Sequence, residues 1–283
     1  MSHKLVLEAG RTERQYWRDL WRYRELFYFL AWRDFMVRYK QTMVGVSWSL
    51  IRPVLTMTVL ALYMMLTKQA TGGVPAPLFV FAAMLPWQFF STAMSESGTS
   101  LITNSNLISK IYFPRLVMPV SAVIVTLADF LISGFFMGLM IVIYHFLPKV
   151  HFTPPAQVVC LPLFIVMVFA AAVGTGLWMA ALMVKYRDVR FIVQFLVQFG
   201  LYASPVILMT SKVPEWWQGL PARALYSLNP AVGIIDGFRW CLLGGDNVIY
   251  WPGMAVSVAV VVLVMITGLW YFRRTERTFA DNI

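Results

Sequence analysis

Six long apolar runs, each cut off by a charged or proline- and glycine-rich stretch, constrain this chain more than any other feature. They fall at about residues 46–66, 78–95, 116–147, 156–184, 191–209 and 248–272. A helix needs about 20 predominantly apolar residues to cross a hydrocarbon core of about 30 Å. In lipid it must also satisfy its own backbone hydrogen bonds. Composition agrees, with 59% apolar and 13% charged residues, against roughly 45–50% and about 25% in soluble domains. A disordered chain, a disulfide-stapled secreted domain and an ordinary cytosolic enzyme are excluded. The expected fold is an all-α polytopic membrane protein with six transmembrane helices, forming one transmembrane domain over residues 1–283.

The net charge of +10 could suggest nucleic acid, but its distribution marks topology instead. With the N-terminus inside, 18 of the 23 Lys and Arg fall on the inner side; Lys68, Lys149, Lys212, Arg223 and Arg239 fall outside. The positive-inside rule then puts both termini in the cytoplasm and the basic excess against anionic lipid heads. Cys160 and Cys241 stand in apolar or interfacial stretches with no metal-ligand spacing, and read as small hydrophobes.

Residues 1–45 hold nine Lys and Arg and no cleavable leader pattern. Between Glu13 and Lys40, Tyr16, Leu20, Tyr23, Phe27 and Leu30 recur at helical spacing, with Arg14, Arg18, Arg22 and Glu25 on another face. Such a helix either lies in the headgroup plane or packs on its own chain or a partner, and the two are compatible. Gly174 and Gly176 mark possible close-packing points in the fourth run. The tail, 273–283, is a basic cytoplasmic end.

Residues 211–247 are too short to cross and too apolar for a loop. Trp216 and Trp217 lie in the first half; Asn229-Pro230 is an N-cap with proline at the first helical position, and Gly244-Gly245 a stop. Pro214 offers a start for an earlier helix. The segment predicts two short re-entrant helices between spans five and six, forming a gate or pore rim; a hairpin lying flat in the interface is the other solution. Asp236 and Arg239, three apart, either pair with each other or form a charge ring at the outer mouth. Asp129, near the middle of the third run, is costly in hydrocarbon at about 2.5–3.5 kcal/mol on insertion scales. It either lines a pathway or bonds a neighbouring helix.

Metal, nucleophile and phosphate-loop motifs are absent from the sequence, so if this chain does active work another subunit must supply the energy. No metal site or cofactor is expected in the chain itself.

Read in order, several strings carry a specific likeness: Arg33-Asp34, Arg38-Tyr39-Lys40, Gly45-Val46-Ser47-Trp48, Arg52-Pro53 and Leu85-Pro86-Trp87. Asn106-Leu107-Ile108, Phe113-Pro114-Arg115, Lys185-Tyr186-Arg187-Asp188, Ser204-Pro205-Val206 and Leu228-Asn229-Pro230 follow, with Arg239 in the next helix. Over nearly its whole length the chain resembles the membrane subunit of polysaccharide-exporting ABC transporters: the O-antigen, capsule and teichoic-acid permeases.

That resemblance implies a homodimer in the bacterial inner membrane, with two copies of an ATPase subunit that binds ATP and Mg. It implies ATPase docking by Asn106, Leu107, Lys110, Tyr112, Phe113 and Arg115, with Tyr186, Arg187 and Asp188 as a second contact. The cargo it implies is a lipid-linked polysaccharide. Trp87, Phe89, Phe90, Phe199 and Tyr202 are candidates for a sliding track, since sugar C–H faces stack on rings; belt or packing roles are the alternative. Other transport readings are an ABC permease for a different lipid or drug cargo, or an ATP-independent channel.

Overall fold

A computed structural model describes residues 18–279, apart from residue 19 and short stretches at 41–46, 70, 111–112, 148–152, 154, 208, 218, 245–247 and 277–278. Among the described residues all regular elements are helical, with one isolated β-bridge between Trp217 and Leu220. Helix α1 covers Arg24–Lys40, α2 Trp48–Leu66, α3 Ala76–Thr103, α4 Ser105–Lys110 and α5 Val117–Phe146. Then come α6 (Leu161–Lys185), α7 (Val189–Tyr202), α8 (Ala222–Tyr226), α9 (Pro230–Leu243) and α10 (Trp251–Thr275).

Five helical stretches are long and apolar enough to cross a membrane: 49–66, 76–103, 117–146, 156–185 and 251–275. The chain is therefore a multi-pass membrane protein. The expected fifth span differs: α7 has 14 residues, about 21 Å at 1.5 Å per residue, and turns occupy 203–207. Ser204-Pro205 explains the stop, because proline disfavours a helical conformation in the residue before it. The second span is longer than its apolar run. Hydroxyls of Thr99, Ser100 and Thr103 bond back to carbonyls three or four residues earlier, which carries a polar sequence along the helix to Thr103.

Helix α3 is the hub, packed against α2, α5, α6 and α9. Leu78, Val80, Phe81 and Ala82 are each at most 1% exposed. Glycine sets the closest crossings. A Cβ on Gly174 of α6 would lie 2.8 Å from the Met265 backbone of α10, and one on Gly268 would meet the Gly174 carbonyl. One on Gly176 would meet Ser97 of α3. Without Cβ atoms the backbones approach closely, which is how helices pack when lipid removes the hydrophobic drive between them.

Helix α1 packs along α5. Leu20, Tyr23, Phe27 and Leu30 of the expected apolar stripe turn to the core, whereas Trp21, Tyr28, Phe29 and Trp32 face outward. The helix thus both packs on its own chain and presents an aromatic face suited to headgroups. Cys160 and Cys241 are both free thiols, one exposed and one buried.

Candidate functional site

Polar contacts gather several segments at one end of the bundle. Arg38 of α1 donates from Nη1 to Asp129 of α5 at 2.7 Å, and its Nη2 lies 3.1 Å from Glu96 of α3. The Tyr39 hydroxyl donates to the other Asp129 oxygen. Arg33 donates to Asn104 Oδ1 at 2.7 Å. Asp129 therefore has a cation and a hydroxyl from α1, and Glu96 shares the same arginine. Asp129 is thus bonded to a neighbouring helix, one of the roles expected for it. Its partners, Arg38 and Tyr39, have no local signal in the sequence, since they stand some 90 residues away.

The expected docking residues project from this same end. Helix α4 follows directly on α3, leaving Asn106 and Lys110 exposed and Leu107 half-buried against the core. Phe113 is buried and anchors the segment. Tyr112 lies outside the described residues. Arg115 is tied to the far end of the sequence: its backbone N–H donates to Glu276 Oε1 at 2.9 Å, and its Nη1 to the Glu276 carbonyl at 2.7 Å. The turn Tyr186, Arg187 and Asp188 is exposed, with the Lys185 ammonium 5.1 Å from the Tyr186 ring. Met183 packs on Gly98, so this turn lies toward the same end as the close of α3.

At the opposite end lie the start of α3, the start of α10 and the segment 203–243. Asn229 behaves as its sequence predicts: its Oδ1 accepts from the Ala231 N–H at 3.1 Å, and Pro230 opens α9. Its Nδ2 also donates to the Ala203 carbonyl, tying α9 to the end of α7. The first half of 211–247 differs from the expected helix. Around Pro214 it forms bends, Trp217 pairs with Leu220 and Gly219 takes φ +81°; among the described residues helix is confined to a 3-10 turn at Thr210–Lys212 and the five residues of α8. A left-handed glycine followed closely by Pro221 prevents a continuous helix. Trp216 and Trp217 are about two-thirds exposed.

Helix α9 is buried among α3, α6 and α10. Phe238 meets Phe130 of α5 edge-on, and Gly233 donates its N–H to Ser257 of α10. A hairpin lying flat on the surface does not describe α9. Arg239, 4% exposed, makes no ion pair with Asp236 among the described residues. It donates to the Pro205 carbonyl at 2.7 Å and stacks 4.0 Å from the Phe79 ring, fastening α9 to α3 and to the turn after α7. Asp236 and Arg239 line a cleft of about 340 Å³ with Thr210, Arg223 and Tyr250.

The aromatic candidates divide. Trp87, Phe89 and Phe90 are each under 8% exposed, and Phe89 packs on Phe130. Phe199 and Tyr202 of α7 are more than half exposed, with Phe195 stacked beside Phe199. Within one chain, therefore, only the α7 pair of these five is free to meet a ligand or another chain.

The chain is thus a bundle of long apolar helices with a clasped helix and exposed charged turns at one end and a short buried helix at the other, the build of a multi-pass membrane domain. The chain belongs to the ABC-2 type transporter family, whose profile matches residues 25–243. It is 29% identical over 269 residues to an O-antigen export system permease protein RfbA of Myxococcus xanthus, covering 94% of this chain and 98% of the relative. Two RfbA proteins of the same description from Klebsiella pneumoniae are 23% identical over 256 and 250 residues, each covering 88% of this chain and 91% of the relative.

Proposed function

We propose that the chain is the membrane-spanning permease subunit of an ATP-driven exporter, moving a lipid-linked, O-antigen-like polysaccharide across the bacterial cytoplasmic membrane. The observation that carries this is the likeness to an O-antigen export system permease protein over 94% of this chain and 98% of the relative. The polar clasp supports it: Asn104, near the exposed Asn106, is bonded to α1, α1 is bonded to α5 through Asp129, and Arg115 is bonded to the end of α10, so force applied there has somewhere to go.

In this scheme the chain contributes no catalytic group. ATP and Mg are held by two copies of a partner ATPase, which docks on Asn106, Leu107, Lys110 and Arg115 and on the turn 186–188, while the buried Phe113 anchors the docking segment from within. Two copies of the permease form the channel between them, with Phe199 and Tyr202 facing the polymer. Six crossings follow if α7 and the turns after it together traverse the bilayer. In support, α7 starts beside the docking turn, whereas Pro205 and Met209 reach the Arg239 cleft at the other end. Both termini then lie in the cytoplasm. The buried α9 and the exposed stretch before it form the extracytoplasmic gate.

Affinity purification of the tagged chain from membranes tests the assembly. An ATPase retained in equal amount, and lost when Asn106, Lys110 and Arg187 are all changed to Glu, is the expected result. A permease that purifies without any ATPase, yet supports export, contradicts it.

A further inference from the structure

The last described residues, at the end of α10, fold back on the start of α5. Helix α5 begins after Pro114, and its N-cap residue, Leu116, has no side chain able to accept from the first N–H groups. The first N–H groups turn back to nearby carbonyls, Val117 to Pro114 and Met118 to Arg115, while the Arg115 N–H, just before the helix, donates to the Glu276 carboxylate from 161 residues away. In return the Arg115 guanidinium takes the Glu276 carbonyl, an end group of α10. A carboxylate at a helix N-terminus and a cation at a helix C-terminus are each favoured by the helix dipole. The carboxylate thus lies beside the start of α5 while the guanidinium donates to the end of α10, so the two helix ends are tied together.

The exchange is held in place by packing. Phe279 is 0% exposed and meets Phe272 edge-on at 5.4 Å between ring centres. The Arg115 guanidinium lies 6.0 Å from the Phe279 ring. Phe113, Leu116 and Val117 are buried on the other side of the junction.

We propose that Glu276 and Phe279 are positioning residues for energy coupling. They lock the junction between segment 105–115 and α5 to the end of α10, so that one push moves both helices. The proposal rests on the ATPase-docking role given above for that segment. Without the lock, displacement of α4 would flex the chain at Pro114-Arg115 and reach α5 alone.

Hydrogen–deuterium exchange of the whole permease–ATPase complex in nanodiscs, with and without vanadate-trapped nucleotide, tests this without any cargo. In the parent, nucleotide trapping should change exchange in α5 and in α10 together. In E276A the amides at 115–118 should exchange roughly tenfold faster, as expected for loss of a charge-assisted bond. The α10 response should fall by more than half while the complex stays intact on size exclusion. E276Q, which keeps the accepting oxygen, should restore both, and F279A should mimic E276A if the ring holds the tail. Unchanged exchange at 115–118, or a full α10 response in E276A and F279A, would overturn the proposal. Cargo identity does not enter this readout, so a failure of the export reading shows separately, as surface polymer unaffected by loss of the chain.

Discussion

Breaking the Arg38–Asp129 contact is the sharpest perturbation of the clasp. The pair is partly screened: 30% of the Arg38 side chain and 25% of the Asp129 side chain remain accessible. Its value should fall between an exposed pair, about 0.2–1 kcal/mol, and the 3–5 kcal/mol lost when a fully buried pair is broken. Glu96 lies 3.1 Å from the same guanidinium and is 47% exposed, so Arg38 keeps some compensation when Asp129 is removed. Asp129 keeps less when Arg38 is removed, because only the Tyr39 hydroxyl remains to it. A coupling of about 1–2 kcal/mol follows, with R38Q more damaging than D129N. The assay is a double-mutant cycle of R38Q, D129N and the pair, read as thermal unfolding of the purified permease in nanodiscs. The double variant should unfold about 2–6 °C higher than the sum of the single losses implies. Additive losses, within about 0.5 kcal/mol, would refute the inference that α1 is held to α5 by this bond.

Other outcomes can be checked alongside. G174A should destabilise by about 1–3 kcal/mol, because the new methyl meets the Met265 backbone, which cannot rotate away; circular dichroism melts would read it. N229A removes the α9 cap and the bond to the Ala203 carbonyl and should cost about 1–2 kcal/mol, with N229D, which keeps the cap but loses that donor, falling between it and the parent in the same melt. F199A with Y202A should lower polymer export at unchanged permease abundance, since both rings project from the bundle. W87A should instead lower abundance, by loss of a buried ring worth about 3–5 kcal/mol; immunoblots of membranes separate the two outcomes.

Much of this architecture was legible in the sequence, and the exceptions have physical causes. Apolar runs placed the helices beginning at Trp48, Val117 and Trp251 within about three residues, because lipid demands continuous apolar helix. Asn229-Pro230 gave the start of α9 because capping is local chemistry. The α1 stripe was legible for the same reason. Hydropathy ended the second span too early, since Ser and Thr can pass as helix when their hydroxyls bond back to the backbone. Asp129 does stand near the middle of its helix, and hydropathy could not show that α1 supplies its partners. No short-range pattern pairs Arg38 with Asp129 or Arg115 with Glu276. Each bond joins segments that meet only after the bundle has formed. The aromatic candidates failed to separate in sequence because a ring in a packed hub and a ring on a free helix face have the same hydropathy.

The central claim is that this chain carries glycan across the membrane under the power of a partner ATPase. It is tested most directly by comparing intracellular and surface polymer in a strain lacking the chain. The strain is complemented with the parent chain beside either the active ATPase or one unable to hydrolyse ATP. The account predicts lipid-linked polymer retained inside in the deletion strain and with the inactive ATPase, and surface polymer restored only by the active pair. Surface polymer at parental level without the chain, or with the inactive ATPase, would contradict it.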